Sequence, residues 1–390
     1  MLSSFNLGQV LILTGILYLN FLARLVFAPL LPIIELEFDL AHAAAGALFF
    51  SMFTGYCLGL LGSNFLSSQI SHRKTILLSV WGLGGVMMGM SLLESLPGMH
   101  VGLFFLGISA GIYLPSGIAI LTELVSQEHW GKALSIHEIA PNLALCTAPL
   151  FVESLLRYLV WRHTLIVLGI SLIFAAVYFG LLGVKSTEKG KPPNLRAMTG
   201  LMAVPSFWIL GAVFVLAIGW ELGIYTMLPL FLVNELGYPR QFSNTLISIS
   251  RVSGVVILFF SGFLIDRFGQ NKAMLLFLIV SGICTITLGA VHGALITPAM
   301  ILIQAASLAC LFPAVLTVVS RATSSDVRGL AVSLLVLIGF LVGGGMVPPF
   351  IGYLADSISF SFGFCFIGAL SLIMLPFLRF LRADSTNHHQ

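Results

Sequence analysis

Residues 7–34 read LGQVLILTGILYLNFLARLVFAPLLPII, and this stretch decides the fold class. It contains a single charged residue, Arg24. A helix needs about 20 mostly apolar residues to cross the hydrocarbon core of a bilayer, and this run is longer than that. The stretch is therefore predicted to be a transmembrane helix that carries one cation into the membrane.

The whole chain shares the composition of this first stretch. Of its 390 residues, 58% are apolar and 8% are charged, and the mean hydropathy is +1.06. Soluble domains carry about 25% charged residues, so this chain has too little polar surface to fold in water. The composition excludes a soluble enzyme, a nucleic-acid-binding protein and a disordered protein. It predicts a multi-pass protein whose main surroundings are the lipid bilayer.

Twelve apolar runs are long enough to span the membrane. They are continuous and lack the alternating segments of about ten residues that form barrel strands, so each is predicted to be a helix. Pairs of glycines four residues apart, such as Gly55 with Gly59 and Gly107 with Gly111, are expected to let these helices pack closely. The predicted spans are 7–34, 43–66, 75–96, 101–125, 133–156, 164–184, 205–233, 243–265, 273–291, 298–320, 329–353 and 362–380. The predicted fold class is all-α membrane, with twelve transmembrane helices.

The placement of basic residues supports this count and sets the orientation. With the N-terminus in the cytoplasm, 13 of the 18 Lys and Arg residues lie in inner loops, and only Arg157, Arg162 and Arg240 lie in outer loops. Membrane proteins keep most of their loop Lys and Arg on the cytoplasmic side. We expect both termini in the cytoplasm, a location in the bacterial inner membrane and a monomeric protein.

A hydrophilic stretch and a weak repeat divide the chain into two halves. Residues 185–199, KSTEKGKPPNLRAMT, follow the sixth span and have the composition of a linker. Arg24 in the first half and Glu221 in the second each precede a proline by eight residues, at an offset of about 197 residues. The predicted organisation is an N-terminal six-helix bundle at 1–184, a cytoplasmic linker at 185–204 and a C-terminal six-helix bundle at 205–390.

Twelve spans in two related halves, joined by a basic loop, resemble the major facilitator superfamily. The loop after span eight, Gly262-Phe-Leu-Ile-Asp266-Arg267-Phe-Gly269-Gln-Asn-Lys272, is similar to the superfamily signature G-x-L-x-D-R-x-G-x-x-K/R. The resemblance implies two pseudo-symmetric bundles that transport by alternating access, with gating roles for Gly262, Asp266, Arg267 and Gly269. The matching loop of the first half has Ser68 where the aspartate would fall.

The first two spans are similar to those of the organic anion:cation symporters of this superfamily. The shared positions are Asn20-Phe-Leu-Ala-Arg24, Ala28, Pro32, Glu37-Phe38 and Gly46. In those symporters the arginine of span one helps to bind a carboxylate substrate, which implies the same role for Arg24. Ala23 replaces the usual aspartate, and residues 107–117 lack the acidic residue expected in span four, so the proton-coupling role does not transfer by position.

Four charged residues lie well inside predicted spans, at least five residues from either end: Arg24, Glu138, Glu221 and Arg251. An ionisable group in a membrane span is costly and marks a candidate functional site. A guanidinium stays charged and binds a carboxylate through two hydrogen bonds. We therefore predict that Arg24 and Arg251 clamp an anionic substrate. The alternative is that the four charges form structural ion pairs.

Other polar side chains in the spans complete the predicted site. A glutamic acid removed from water holds its proton more tightly, so Glu221 or Glu138 is predicted to carry a coupling proton, and His137 is a third candidate. The alternative for His137 is a hydrogen-bonded structural histidine. The predicted donors to substrate oxygens are Asn20, Tyr18, Tyr113, Tyr225 and Gln304.

The sequence therefore predicts a secondary transporter of a small organic anion, with a carboxylate favoured, coupled to protons. It predicts no enzyme activity, no cofactor, no metal site and no nucleic-acid partner, because no nucleophile–base, metal-ligand or nucleotide-binding motif is present. Two alternatives remain. One is an exporter of amphipathic drugs or metabolites, although the span-five glycines of drug:proton antiporters are missing around Pro141 and Pro149. The other is a sensor or scaffold that keeps the fold without transport.

Overall fold

The structure of the chain is a computed structural model that describes residues 6–190, 195–203, 205–322 and 325–376. These ranges are almost entirely helical and contain no strand. The twelve spans consist of Leu7–Leu25 with Phe27–Phe38, His42–Ile70, His72–Met90, Leu96–Gly111 with Tyr113–Leu124, Trp130–His137 with Ile139–Leu156, Trp161–Leu182, Pro205–Ile218 with Gly219–Ile224, Tyr225–Leu230 and Phe231–Glu235, Arg240–Phe268, Gln270–Ala290, Ile296–Ala322, Ser325–Ile338 with Gly339–Met346 and Val347–Ser357, and Phe360–Met374. Two short helices, Gln127–His129 and Leu195–Met202, lie between spans.

The helices have the length and composition of membrane spans. Eight helical segments in the described ranges are long and apolar enough to cross a membrane, and Ile296–Leu311 and Phe360–Met374 are shorter apolar helices. The all-helical fold class is confirmed, and the predicted count of twelve is consistent with these segments.

Contacts between residues divide the chain into two compact units. The first unit comprises residues 1–38 and 51–193, and the second comprises residues 39–50 and 194–390. Helix His42–Ile70 therefore contributes its first turns to the second unit and the remainder to the first. The change of unit after Pro193 lies inside the predicted linker, and the predicted division into two six-helix domains stays a prediction.

The start of helix His42–Ile70 is held within the second unit. The Asp356 carboxylate accepts hydrogen bonds from the backbone N–H groups of His42 and Ala43, both at 2.9 Å. These are two of the N–H groups that have no partner inside a helix. A β-carbon on Gly46 would lie 2.6 Å from the carbonyl oxygen of Pro348, so only glycine permits this close approach.

Paired glycines bring two helices of the first unit into backbone contact, as predicted. A β-carbon on Gly55 would lie 2.0 Å from the Phe104 carbonyl oxygen, and one on Gly107 would lie 2.0 Å from the Met52 carbonyl oxygen. No side chain fits at either distance. These glycines therefore allow the short distance between helices His42–Ile70 and Leu96–Gly111.

The two units repeat the same helix crossing. In the first unit a β-carbon on Gly84 would lie 3.0 Å from the Gly169 carbonyl oxygen. In the second unit a β-carbon on Gly282 would lie 3.2 Å from the Gly368 carbonyl oxygen. The two glycines of the second pair follow those of the first by 198 and 199 residues. The third and sixth helices of each half thus cross at equivalent glycines.

A glutamate at the end of the first span of each half repeats a second contact. Glu37 accepts a hydrogen bond of 2.5 Å from the Trp161 indole and pairs with the Arg162 guanidinium. Glu235 accepts hydrogen bonds from the backbone N–H groups of Phe360 and Ser361, at 2.6 and 3.0 Å. In both units this carboxylate ties the last span of the half to its first, although the donors differ.

Proline interrupts three spans of the first unit. Single non-helical residues occur at Val26, Ile112 and Glu138, and Pro29, Pro115 and Pro141 follow them by three residues. Proline has no N–H, so the carbonyl four residues before it receives no α-helical hydrogen bond, and the ring crowds that turn. Arg24, Tyr113 and Glu138 consequently lie beside irregular backbone.

Two spans of the second unit contain wide π-helical turns. They cover Gly219–Ile224 and Phe231–Glu235 in span seven and Gly339–Met346 in span eleven. Such turns are rare and are frequent at functional sites. Glu221 lies in the first of them.

Candidate functional site

Arg24 is buried in the first unit without a carboxylate partner. Its side chain is 3% exposed, and its Nε donates to the Asn20 carbonyl oxygen at 3.5 Å. Its Nη2 is buried and has no hydrogen-bond partner. Among the described residues, no carboxylate lies within salt-bridge distance of this guanidinium. A full positive charge is thus held at the proline-broken part of span one.

Two aromatic rings take the place of a counter-ion at Arg24. The guanidinium carbon lies 4.2 Å from the centre of the Phe21 ring and 4.6 Å from the centre of the buried Tyr56 ring, over both ring faces. A cation over a ring face is attracted by the ring's quadrupole, and the attraction grows as water is removed. The sequence prediction missed both rings. Phe21 lies three residues before Arg24, but nothing in the sequence indicates that Tyr56 of span two would reach it.

Arg251 has a related environment in the second unit. Its side chain is 8% exposed, and its guanidinium lies 4.7 Å from the centre of the Tyr225 ring. Its Nη2 donates to the backbone carbonyl of Glu221 at 3.3 Å, and its Nε is buried without a partner. The Glu221 carboxylate does not form a salt bridge with it. The structure thus brings together three residues that the sequence singled out separately.

A hydrogen-bond chain connects spans one, four and five within the first unit. The Tyr113 hydroxyl donates to the Leu13 carbonyl oxygen at 2.9 Å and lies 3.1 Å from His137 Nε2. The single hydroxyl proton is used on Leu13, so His137 Nε2 must carry a hydrogen and donate to Tyr113. His137 Nδ1 is left buried and without a hydrogen-bond partner, 3.9 Å from Glu138 Oε1.

The burial of this chain is uneven. His137 is fully buried, whereas the Glu138 side chain is 59% exposed. The unpartnered Nδ1 of His137 therefore lies next to a carboxylate that is accessible from outside the protein interior.

The other predicted donors are engaged inside their own unit. Thr147 donates its hydroxyl proton to Leu143, so the Tyr18 hydroxyl, 2.9 Å away, donates to Thr147. The Asn20 amide donates to the Ala110 carbonyl oxygen at 3.1 Å. In the second unit the Gln304 amide donates to the Thr285 hydroxyl at 3.1 Å. Tyr18 thus has no remaining donor, and the two amides each keep one N–H.

The loops that follow spans two and eight share a backbone shape but differ in sequence. Gly269 precedes helix Gln270–Ala290 with φ +78° and ψ 144°. Ser71, 198 residues earlier, precedes helix His72–Met90 with φ +91° and ψ 155°. This region is almost exclusive to glycine, so Ser71 is strained. Arg267 is exposed. Gly262 and Asp266 lie within helix Arg240–Phe268, and the Asp266 side chain lies outside the described residues.

The start of the predicted linker packs on the first unit. Ser186 donates to the Glu123 carboxylate at 2.8 Å, and the backbone N–H of His72 donates to the Glu188 carbonyl oxygen at 3.1 Å. Glu123 and Glu188 also line a cavity of about 420 Å³. His72 lies ahead of the predicted span 75–96. Burial lowers the pKa of its imidazole below the usual value, although Glu123 and Glu188 act in the opposite direction.

Metal-ligating side chains do not gather in the part of the chain that the structure describes. No group of three or more His, Cys, Asp or Glu residues is placed to hold an ion there. In the same ranges none of the five cysteines forms a disulfide bond.

Solved structures of membrane transporters share this fold. A bacterial homologue of the human lysosomal transporter Spinster, in an inward-facing and occupied conformation, has 18% identity and a TM-score of 0.78, covering 97% of this chain and 96% of that chain. A D-xylose–proton symporter has 14% identity and a TM-score of 0.81, covering 96% and 97%. A nucleoside transporter has 13% identity and a TM-score of 0.81, covering 96% and 99%. At these identities the likeness establishes the fold.

Sequence comparison places the chain in a family. Among curated proteins no relative matches it. Residues 13–302 and 209–390 match the sequence profile of the Major Facilitator Superfamily. This match covers nearly the whole chain and confirms a multi-pass membrane transporter rather than an enzyme. The chain belongs to the Major Facilitator Superfamily.

Proposed function

We propose that this chain is a secondary transporter that moves a small organic anion, with carboxylates favoured, by alternating access and with proton coupling. The observation that carries the proposal is the buried Arg24 guanidinium, which has an unpartnered Nη2 and no carboxylate within salt-bridge distance in the described residues.

The cost of burying this charge supports a binding role. Leaving one member of an ion pair buried alone costs about 3–5 kcal/mol, so an arginine with a purely structural role would be expected to have an acidic partner. A substrate carboxylate supplies that partner when it binds. It also suits the planar guanidinium, which presents parallel N–H groups to two oxygens.

Arg251 supports the same proposal from the second unit. Its guanidinium also has an unpartnered nitrogen, and its Nη2 donates to the Glu221 backbone rather than to the carboxylate. We propose that Arg251, like Arg24, is an anion-binding residue. When it is charged, the Glu221 carboxylate competes with the substrate for Arg251. When it is protonated, it does not.

Proton coupling is assigned to Glu221, Glu138 and His137. Glu221 lies in a π-helical turn beside Arg251, so its charge bears directly on anion binding. His137 offers an unpartnered Nδ1 next to the accessible Glu138. The Tyr113 hydroxyl joins His137 to the backbone of span one, which also carries Arg24.

Further assignments follow from the family resemblance. Gly262, Asp266, Arg267 and Gly269 are proposed to gate the transition between states. The inner membrane location, the cytoplasmic termini and the monomeric state are proposed on the distribution of basic residues and the family resemblance.

Uptake into proteoliposomes tests the role of the arginines. Arg24→Lys and Arg251→Lys keep a positive charge but lose the planar fork, and each is expected to lower carboxylate uptake at least about tenfold, the loss of one charge-assisted hydrogen bond. Arg162→Lys is the matched control, because Arg162 already pairs with Glu37, and it is expected to transport normally. Wild-type uptake by both Arg24→Lys and Arg251→Lys would refute the proposed role of the arginines in anion binding.

Comparing accumulation with exchange tests the coupling residues. Glu221→Gln, Glu138→Gln and His137→Gln are each measured for proton-driven accumulation and for substrate exchange without a gradient. The variant that removes the coupling group is expected to lose accumulation and keep exchange. Normal accumulation by all three would show that none of these residues carries the proton.

A further inference from the structure

We infer that the anion bound at Arg24 is a monocarboxylate with an apolar body, aliphatic or aromatic, rather than a polyhydroxylated acid, and that Tyr56 holds the guanidinium in position for it. This inference rests on the proposed function and narrows its substrate class.

The first support is the chemistry of the surface around Arg24. Within the described ranges its guanidinium interacts with the ring faces of Phe21 and Tyr56 and forms one weak hydrogen bond, at 3.5 Å, to the backbone of Asn20. Ring faces favour a cation and apolar carbon, but they offer no acceptor for a hydroxyl group. The part of a substrate that lies beside the guanidinium therefore meets aromatic carbon.

The second support is that the first-unit side chains predicted to donate to substrate have already used most of their hydrogens. Tyr18 donates to Thr147, and Tyr113 donates to Leu13. Asn20 donates to Ala110 and keeps one N–H. A site that recognises several hydroxyl groups needs several available donors and acceptors. These side chains leave enough for the two oxygens of a carboxylate and little beyond.

The second unit has the same character at Arg251. Its guanidinium lies over the Tyr225 ring and donates to a backbone carbonyl. Gln304, which the sequence predicted to bind substrate, is 3% exposed and donates to Thr285. Both buried arginines are thus supported by a tyrosine ring.

Tyr56 is a positioning residue in this account. It lies in helix His42–Ile70, whereas Arg24 and Phe21 lie in span one, so it fixes the guanidinium from a neighbouring helix. The helix that carries Tyr56 is itself held at glycine distance from Leu96–Gly111, because a β-carbon on Gly107 would lie 2.7 Å from the Tyr56 backbone nitrogen. The Tyr56 ring therefore has little freedom to move away from Arg24.

The test for substrate class compares three six-carbon compounds on the purified full chain: hexanoate, gluconate and hexanamide. Their binding constants are measured by thermal stabilisation and by competition with uptake. Hexanoate is expected to bind at least about tenfold more tightly than gluconate, because hydroxyl groups left without partners oppose binding. It is also expected to bind more tightly than hexanamide, which lacks the charge.

The outcomes distinguish the inference of an apolar substrate body from the proposal that the substrate is an anion. If gluconate binds as tightly as hexanoate, or more tightly, and hexanamide binds weakly, the inference on the apolar body is overturned and the anion proposal stands. If hexanamide binds as tightly as hexanoate, the anion proposal itself is overturned. If none of the three binds, a site for a small monocarboxylate is absent and the inference is overturned.

The test for Tyr56 uses Tyr56→Phe and Tyr56→Leu. Phenylalanine keeps the ring face and is expected to keep the KM for hexanoate within about threefold, whereas leucine removes the cation–π contact and is expected to raise KM about five- to thirtyfold, with a smaller change in maximal rate. Binding of hexanamide is expected to be equal in both variants, which a general loss of structure would not produce. Equal KM values for hexanoate in Tyr56→Phe and Tyr56→Leu would refute the positioning role.

Discussion

Replacing Ser71 with glycine is expected to stabilise the first unit. Ser71 has φ +91° and ψ 155°, a region that residues with a β-carbon occupy at a cost of about 1–3 kcal/mol. Glycine removes that cost, but its greater conformational freedom in the unfolded chain lowers the stability by about 0.5–1 kcal/mol. The Ser71 hydroxyl forms no hydrogen bond with the described residues, whereas the Ser71 backbone N–H and carbonyl bond to Ser67 and Thr75 in either variant. The expected net gain is about 1 kcal/mol, which raises Tm by about 2–4 °C for a unit of this size.

The matched variant in the second unit is Gly269→Ser. A β-carbon at Gly269 would meet no atom within 4 Å, so the substitution tests backbone conformation alone, and it is expected to lower Tm by a similar amount. Ser71→Ala keeps the β-carbon and serves as the control, for which no change in Tm is expected. Thermal unfolding in detergent, followed by tryptophan fluorescence at a fixed heating rate, measures all three. The reasoning is refuted if Ser71→Gly and Ser71→Ala change Tm equally, or if Gly269→Ser leaves Tm unchanged.

Three further predictions concern packing, pH and coupling. Gly107→Ala forces a β-carbon to 2.0 Å from the Met52 carbonyl oxygen and is expected to cost about 1–3 kcal/mol of stability, measured as Tm. Gly85→Ala, where a β-carbon meets nothing within 4 Å, is expected to be neutral or stabilising. Equal Tm values for Gly107→Ala and Gly85→Ala would contradict the packing role of Gly107. The lowered pKa of His72 means that its contribution to stability is present above its ordinary pKa and is lost as pH falls through the folded-state value. The wild type is therefore expected to lose more Tm than His72→Gln between neutral and mildly acidic pH, and equal losses would count against it. Glu221→Gln is expected to make carboxylate binding less dependent on pH than in the wild type, and an unchanged pH profile would remove Glu221 from the coupling scheme.

The fold class was accessible from the sequence because the physical constraint is severe. In lipid every backbone group must bond internally, so long apolar runs can only become helices. Gly55 and Gly107 show that helix packing could also be predicted. Their spacing predicted close helix packing, and the structure places both beside a neighbouring backbone carbonyl.

The breaks in the spans were not predicted, although their signal was present. Pro141 lies three residues after Glu138, where the helix of span five is interrupted. A proline in a span can kink it, interrupt it or be absorbed by its neighbours. The sequence does not distinguish these outcomes, since they depend on what packs against the freed carbonyl.

The charged residues of the candidate site could be predicted, but their partners could not. Arg24 and Arg251 stand out because ionisable groups are rare in apolar spans. The Tyr56 ring beside Arg24 is 32 residues away in sequence, in a span full of aromatic side chains. Tyr18 was expected to contact substrate, yet it bonds to Thr147 of span five. Such contacts depend on the rotation of one helix against another, and a local sequence pattern does not determine that rotation.

The central claim is that Arg24 binds a carboxylate substrate. Its most direct test is equilibrium binding, at fixed pH and ionic strength, of the most strongly stabilising carboxylate to the purified wild type and to Arg24→Gln. The account predicts a loss of affinity of about 10- to 150-fold in Arg24→Gln, the equivalent of a charge-assisted hydrogen bond worth about 1.5–3 kcal/mol, with unchanged binding by Arg162→Lys. Equal affinity of the wild type and Arg24→Gln would contradict it.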